Sequence, residues 1–496
     1  MGGLQAPIIN WQIKAGESKA GFEEHRILLI AQSDGEAVAK ELLQDVQQTE
    51  IITLCGVGSM ASMAFERIKK FNKVTEIDII PLSEPVGGTK AQGGIKVTGT
   101  ATENKTLNFK IGDDVFEYNA TIIKDETASQ IAIKIMGAIN AKTSYPFTAS
   151  IDAGDNTLVL IDFKIVGEVA NGIISKINTR VLGLSFTVQE FTGGAGAYDT
   201  DGILDTLIKR YHTVIFDSAM SFDAVEDFME SRVNTTNAVK GGVGFTLKNG
   251  NYTTLKAFAN SKNSKSMVCF GNLDEMKFNL IPLLAVAEFG AKRALRLTDG
   301  AVLGDIVLEA QEAFGGINKS SLPYHNTPMS YDAPKNEIII EQVQDLNDAG
   351  LSLLVPATIG VVLGTVVTLY KFDNSGIEDN TFKYLNAVDT SMAIQEYLFS
   401  NTKKEFGQTR ATGGDLVAGV AMTNTVSVKA YIVGLYEDMV GMALAQGGAD
   451  AIKSFKKNLT VTLDVASGIY AVFAPTPIVS QFRGLNGVVA IGYEFN

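Results

Sequence analysis

Cysteine is almost missing from this 496-residue chain, which holds only Cys55 and Cys269, each inside an apolar run. Two thiols cannot build a disulfide framework, and they suit a reducing compartment of synthesis. Histidine is nearly as rare: His25, His212 and His325 are far apart and none stands in metal-ligand spacing with a cysteine or an acid. There is a single tryptophan, Trp11. A basic surplus is lacking too, since Lys+Arg is 42 against 55 Asp+Glu, a net charge of −13. That excludes a basic nucleic-acid binder, which needs a positive surface to neutralise phosphates. Charge of either sign is thin, 20% of residues against the usual ~25%, while 46% are hydrophobic. The chain has ample material for cores and little charge to coat a solitary particle.

Targeting signals are also missing. The first 21 residues have neither a basic start nor a long apolar run, so no secretory leader is read there. Met1-Gly2 is followed by Ala6 where a myristoylation start needs Ser or Thr. The longest uncharged run, Ala349 to Tyr370, is long enough to span a bilayer. It contains Pro356, Gly360 and Gly364 and a Val/Thr-rich second half, which favours two strands and a turn.

What is present reads as α/β with several units. At about 150 residues per domain the length suggests roughly three. A short strand-like piece, Ile8 to Ile13, sits in a polar leader of 24 residues with no hairpin partner nearby. From His25 the pattern alternates: strand 26–30, helix 36–47, strand 51–54, helix 60–70 and strand 76–82, implying a mostly parallel sheet covered on both faces. Gly87-Gly88 then opens a β-rich block with strands at 94–100, 105–111, 114–119, 148–151 and 156–163. Its one helix, 127–140, carries Ile131, Ile135 and Ile139 at helical spacing behind an N-capping Thr or Ser. The block closes on strand 186–188 and a flexible Gly193-Gly194-Ala195-Gly196, so two glycine-rich hinges mark an insertion.

The α/β pattern resumes with helix 203–209, strand 213–216, helix 222–232 and strands 244–247 and 266–270. A mixed region follows: strands at 338–340 and within 351–370, helices 391–406 and 426–446, and a hairpin from 458–465 and 468–473. The chain ends on a strand-like 487–493. The expected division is an arm 1–24, an α/β core 25–86 with 198–335, an inserted β-rich unit 87–197, an α+β unit 336–484 and a terminal strand 485–496.

Signals for chemistry are few. Gly56-Val57-Gly58-Ser59-Met60-Ala61 fits G-x-G-x-x-A, the turn that lets backbone amides approach a pyrophosphate. The acid that should close the following strand is missing: Glu76 and Asp78 start that strand, and its end is Pro81-Leu82-Ser83. A tight structural turn accounts for the same residues. There is no Walker loop, nucleophile elbow or HExxH, and acid pairs such as Glu23-Glu24 and Asp113-Asp114 read as solvated turn charge. No catalytic, cofactor or metal residues are assigned. Lys453, Lys456 and Lys457 gather around Phe455 on a short helix, either a solvated face or a dock for an acidic partner.

The order of these pieces resembles the tail sheath proteins of contractile bacteriophages, in particular the Mu-like sheath family. The matching segments are the arm before Arg26 to Ile30, the Cys55 to Met60 turn, Lys90 to Ile95 and Phe191 to Gly196 around the insertion, Asn260 to Asn263, Phe455 to Leu459, and Ala474 to Phe482. Lys262 stands where the family has Arg, and Ala349-Gly350-Leu351 is looser than the family's segment.

The resemblance implies a non-enzymatic subunit without cofactor that stacks as hexameric rings around a tail tube. Neighbours would be linked by exchanged terminal arms, and contraction would drive the tube into the host envelope. On that reading Ile8, Ile9, Trp11 and Ile13, with Val488, Val489, Ile491 and Tyr493, are the linking strands. This agrees with two terminal strands lacking local partners. Lys453, Phe455, Lys456 and Lys457 are the candidate tube contacts, and the insertion lies outside. Implied partners are further copies of the chain, the tube protein, and the baseplate and tail terminator proteins, with no nucleic acid and no membrane insertion. The implied location is the virion tail, after synthesis in the host bacterial cytoplasm. The alternatives are the sheath of a bacterial contractile injection particle and a Rossmann-like oxidoreductase.

Overall fold

The computed structural model describes residues 25–113, 115–205, 207–233, 240–276, 278–298, 324, 327–331, 336, 339–357, 360–442 and 444–479. The first strand, β1 (Arg26–Gln32), is buried at all but its first residue, as a run of Ile and Leu must be when a sheet is covered on both sides. Two helices follow, α1 (Ile51–Cys55) and α2 (Met60–Phe71), then β2 (Glu76–Leu82).

The β-rich block holds β3 (Lys90–Gly99), β4 (Lys105–Ile111), β5 (Glu117–Ile122), α3 (Ala128–Asn140), β6 (Phe147–Ile151), β7 (Leu158–Val166), β8 (Ser175–Ile177) and β9 (Leu184–Thr192). The chain then returns through β10 (Thr213–Phe216), α4 (Phe222–Val233), β11 (Val243–Gly250), α5 (Tyr252–Asn260), β12 (Met267–Leu273) and α6 (Pro282–Thr298). After β13 (Thr327–Met329) come α7 (Ile340–Asp348), β14 (Leu351–Pro356) and β15 (Val361–Leu363). The last elements are α8 (Leu385–Phe406), β16 (Arg410–Ala411), β17 (Met422–Thr423), α9 (Thr425–Gly441), α10 (Ala449–Asn458), β18 (Thr460–Asp464) and β19 (Ile469–Phe473).

The main sheet has eight strands in the order β13-β15-β14-β12-β11-β10-β1-β2. Six of them run parallel, from β2 to β14, and β15 and β13 add antiparallel at one edge. Adjacent side chains on a strand point to opposite faces, and the glycines show which helix lies where. Gly290 of α6 lies over Ile215, and Phe289 meets Phe245 and Phe270, so α6 covers one face. Gly244, next to Phe245, faces Val225 of α4, and Gly271 faces Leu255 of α5, so these helices cover the other. This is the α/β fold class read from the sequence.

Between β2 and β10 the chain forms two antiparallel sheets, β6-β7-β3-β9 and β5-β4-β8, packed on α3. Helix α3 starts at the expected Thr127, whose side chain forms a capping box with Gln130, and it buries Ile131, Ile135 and Ile139. The glycine-rich ends of this block are tied rather than loose. Thr89 bridges to Ala195, its amide donating to the Ala195 carbonyl at 2.9 Å, and Asn171 makes two hydrogen bonds to Gly194.

Several local expectations fail. Residues 36–47 form turns, not a helix. Lys40 and Asp45 take positive φ, and Leu43 bridges Ile79, so the segment lines the edge of β2. Residues 51–55 are α1 rather than a strand, an ambiguity inherent in a short apolar run. The expected helix 203–209 is not formed: residues 203–205 are turn and 207–209 irregular, with Ile208 exposed. Ile340 begins α7 instead of ending a strand. The run 349–370 contains β14 and β15, paired antiparallel, the two strands that its composition indicated. Among the described residues no helix is long and apolar enough to cross a membrane.

Candidate assembly interface

The G-x-G-x-x-A turn comes out as packing. Ser59 caps α2 by accepting from the Ser62 amide, and the Met60 amide donates to Gln32 Oε1. These are amides a phosphate would have used. A Cβ on Gly56 would collide with the Asp34 carboxylate, and one on Gly35 with the backbone of Leu54 and Gly56. Gly58 sits against the Ser144 carbonyl, 3.1 Å from where its Cβ would be. Asp34 also places a carboxylate beside the turn, and burial raises its pKa. The glycines here serve close packing, and the carboxylate of Asp34 stands where an anion would have to approach.

The thiols and histidines are equally absorbed. Burial pushes Cys269 up to about 12 and Cys55 up to about 11, so neither is a nucleophile at neutral pH. His212 packs against His25 with tilted rings whose centroids are 4.0 Å apart, and burial holds its pKa well below the ordinary value. Among the described residues no group of three or more His, Cys, Asp or Glu could hold a metal.

The C-terminal third has its own apolar cluster. Ile394 of α8, Val428, Ile432, Tyr436 and Met439 of α9, and Phe455 and Leu459 around α10 form its centre. Phe455 is 2% exposed and stacks on Tyr436, centroids 3.9 Å apart and nearly coplanar. It anchors α10 and cannot contact a tube, which corrects its assignment as a surface residue. Lys453, Lys456 and Lys457 lie on the exposed side of the same helix, at the i, i+3, i+4 spacing of one face. Lys456 pairs with Glu437 at 2.8 Å. The signal missed in the sequence is the apolar set Ile452, Phe455, Leu459, which makes Phe455 the inward member.

Strands β18 and β19 form a two-stranded antiparallel sheet with no third strand among the described residues. Val461 faces Val472 and Leu463 faces Tyr470 on the side toward α9, while Phe473 and Ile469 lie on the outer side, 64% and 65% exposed. The Tyr470 hydroxyl donates to the Thr423 carbonyl at 2.8 Å, tying the hairpin to β17. An apolar groove with a cavity volume of about 370 Å³ runs beside β19, floored by Leu398, Phe399 and Phe406 of α8 and by Val428 and Ile432 of α9. The expected linking residues Ile8, Ile9, Trp11, Ile13, Val488, Val489, Ile491 and Tyr493 lie outside the described residues, as does His325.

No protein-family profile matches the chain. It is similar to the Mu-like prophage FluMu tail sheath protein of Haemophilus influenzae, 22% identical over 473 residues, covering 92% of this chain and 91% of that protein. Among solved structures it is similar to the sheath tail protein of Desulfitobacterium hafniense, with a TM-score of 0.46 and 12% identity over 96% of this chain and 98% of that one. The helical sheath of the anti-feeding prophage in its contracted state gives a TM-score of 0.43 and 10% identity over 100% of both chains. The chain is thus related in sequence to a Mu-like tail sheath protein along nearly its whole length.

Proposed function

We propose that this chain, as a relative of Mu-like tail sheath proteins, is the structural subunit of a contractile tail sheath. Copies polymerise as stacked hexameric rings around a tail tube, and contraction drives the tube through the host envelope. The observation that carries this reading is the end-to-end relation to the Haemophilus protein, which covers 91% of that protein and leaves few residues of this chain unmatched. A filled Gly56 turn and two buried, unreactive thiols favour a structural role over the oxidoreductase.

The links between copies are strands. An unpaired strand edge is a template for another chain, and among the described residues β18–β19 offers one on each side. The segments 4–13 and 487–495, strand-like and without local partners, are the donors, with backbone hydrogen bonds holding the link. A head-to-tail contact that does not close on itself gives an open helix. The exposed lysines of α10 dock the acidic side of the tube, while the 87–197 unit stands outside. Baseplate and terminator proteins cap the two ends of the polymer in the virion tail. Contraction draws on packing energy stored in the extended polymer, a switch between two arrangements of one chain.

Negative-stain microscopy of the purified protein tests the reading. Long hollow cylinders are expected; compact particles at every concentration and salt would overturn it. A sheath of a headless injection particle gives the same cylinders and is separated by whether they are found on DNA-filled particles.

A further inference from the structure

We propose that the inserted β-rich unit is the fixed occupant of the crevice at the carboxyl edge of the main sheet. Arg67 locks it there, so that it folds and moves with the α/β core and is not a hinged appendage. The proposal stands apart from the assembly reading above and holds for the single subunit.

In an open α/β sheet the crevice lies outside the carboxyl ends of the strands, where the strand order reverses. Here the reversal falls between β1 and β10, since β2 lies to one side and β11 and β12 to the other. The insertion reaches this edge at strand after strand. Just past β2, Glu84 accepts from the amide of Val166, the last residue of β7, at 3.2 Å. The Gly58 turn, packed on Asp34 just past β1, meets the Ser144 carbonyl of the insertion. Just past β10 lies Asp217; burial and the Asp217 carboxylate raise the pKa of Tyr198, where the chain leaves the insertion. At the end of β11, Asn249 donates to the Asn171 carbonyl at 3.1 Å, and Asn272 of β12 donates to Asn249 at 3.0 Å. The protein's own chain fills the place where this class of fold takes a ligand.

The lock is Arg67 of α2. Its guanidinium is buried and pairs with Asp113, just past β4, at 2.5 Å and with Glu288 of α6 at 2.9 Å. One cation thus neutralises a buried carboxylate from the insertion and another from the core, and loss of any member leaves charge stranded inside. Beside Asp113, Gly112 takes a φ of +71°, and a Cβ there would stand 3.0 Å from Ile173, 3.2 Å from Phe147 and 3.4 Å from Ile281. The first two belong to the insertion, and Ile281 leads into α6. Apolar packing runs on across the joint. Phe109 and Phe147 share one buried cluster with Phe245 and Ile281, whereas the C-terminal third has a cluster of its own. Units joined by small polar contacts move against each other; a shared core and a buried ion triad remove that freedom.

Hydrogen exchange on full-length subunits tests the lock. Asp113→Leu is expected to speed exchange in α3 and β7 of the insertion and in β12 and α6 of the core by the same factor, on the order of a hundredfold. Faster exchange on one side only would overturn the proposal. A second measurement leaves the joint intact and does not require that variant to fold. Both native cysteines are buried, so spin labels are directed to Ile133→Cys on α3 and Val74→Cys before β2, two exposed positions. A single narrow distance between the labels is expected in free subunits, and a broad or two-peaked distribution would restore the hinge and sink the proposal.

Discussion

His212 shows how a single buried side chain sets a pH response. It lies at the start of β10, packed against His25 and facing Arg26, Arg210 and Arg293, and burial keeps it neutral well below its ordinary value of 6.5. Below about pH 6.5 the unfolded chain takes up a proton that the folded chain refuses. Stability is then complete above that pH and falls as pH drops. Asp217 acts in the opposite sense. Burial raises it from 3.8 to about 6, so between those values the folded state keeps a proton that the unfolded state releases. Urea midpoints at pH 7.5 and pH 5 should therefore fall less for His212→Asn than for the wild type; equal drops would assign the acid sensitivity to other groups. Lysines on α10 behave differently, because they are solvated. Lys453→Glu with Lys456→Glu should leave the melt nearly unchanged, since an exposed pair such as Lys456–Glu437 is worth about 0.2–1 kcal/mol. Their expected effect is on cosedimentation with tubes, which should weaken; unchanged binding would remove α10 as the tube contact. The sequence placed these lysines on one helix but misplaced Phe455, because charge spacing is visible in a linear pattern and the ring it stacks on, Tyr436, is 19 residues away.

At the scale of elements, α8 joins the two apolar clusters. Its Leu385 and Val388 belong to the main core, while Ile394 belongs to the C-terminal cluster. Two buried ion pairs fasten it to the elements around the main sheet. Arg293 of α6 makes a two-point contact with Asp389, at 2.5 and 3.2 Å, and also donates to the His212 carbonyl. Arg210 meets Glu396 at 2.7 Å. The helix ties the hairpin-bearing end of the molecule to the α/β sheet. Arg293→Met should destabilise by about 3–5 kcal/mol, because it strands a buried carboxylate. Adding Asp389→Leu should restore most of that, read as urea midpoints; no recovery would mean the helix is held by packing alone. Elements with strong periodicity were legible. Strand 76–82, the α3 helix with its cap, and the 458–473 hairpin appear where the residue pattern put them. The turns at 36–47 were not, since Leu43 and Val46 owe their conformation to their pairing with Ile79 and Ile77 of β2, more than thirty residues on. Local pattern carries no record of an edge that must be covered.

At the scale of the whole molecule, the shortage of charge has a location. Among the described residues, exposed large apolar side chains gather in the last quarter of the chain: Leu416, Val417, Val420, Val426, Val465, Ile469, Val472 and Phe473. Exposed apolar side chains mark a site of contact with another molecule where they adjoin, and Val465, Ile469, Val472 and Phe473 belong to the one hairpin whose edges carry no further strand among the described residues. The candidate links were readable as strands without partners, but the exposed hairpin and the groove beside it were not, because they exist only once α8, α9 and β19 are assembled. Deleting residues 1–15 or 485–496 should therefore separate folding from assembly. Neither deletion removes a described residue of either apolar cluster, so each shortened chain should melt within a few degrees of the full one. On the proposed strand exchange, each should also fail to form cylinders, since one of two strand donors is gone. Mixed together, the two shortened chains should form no more than short oligomers, because each carries one donor and every continuous ring needs both. Cylinders of normal length from either deletion, seen by negative-stain microscopy and sedimentation, would show that side-chain interfaces hold the polymer and that the arms do not.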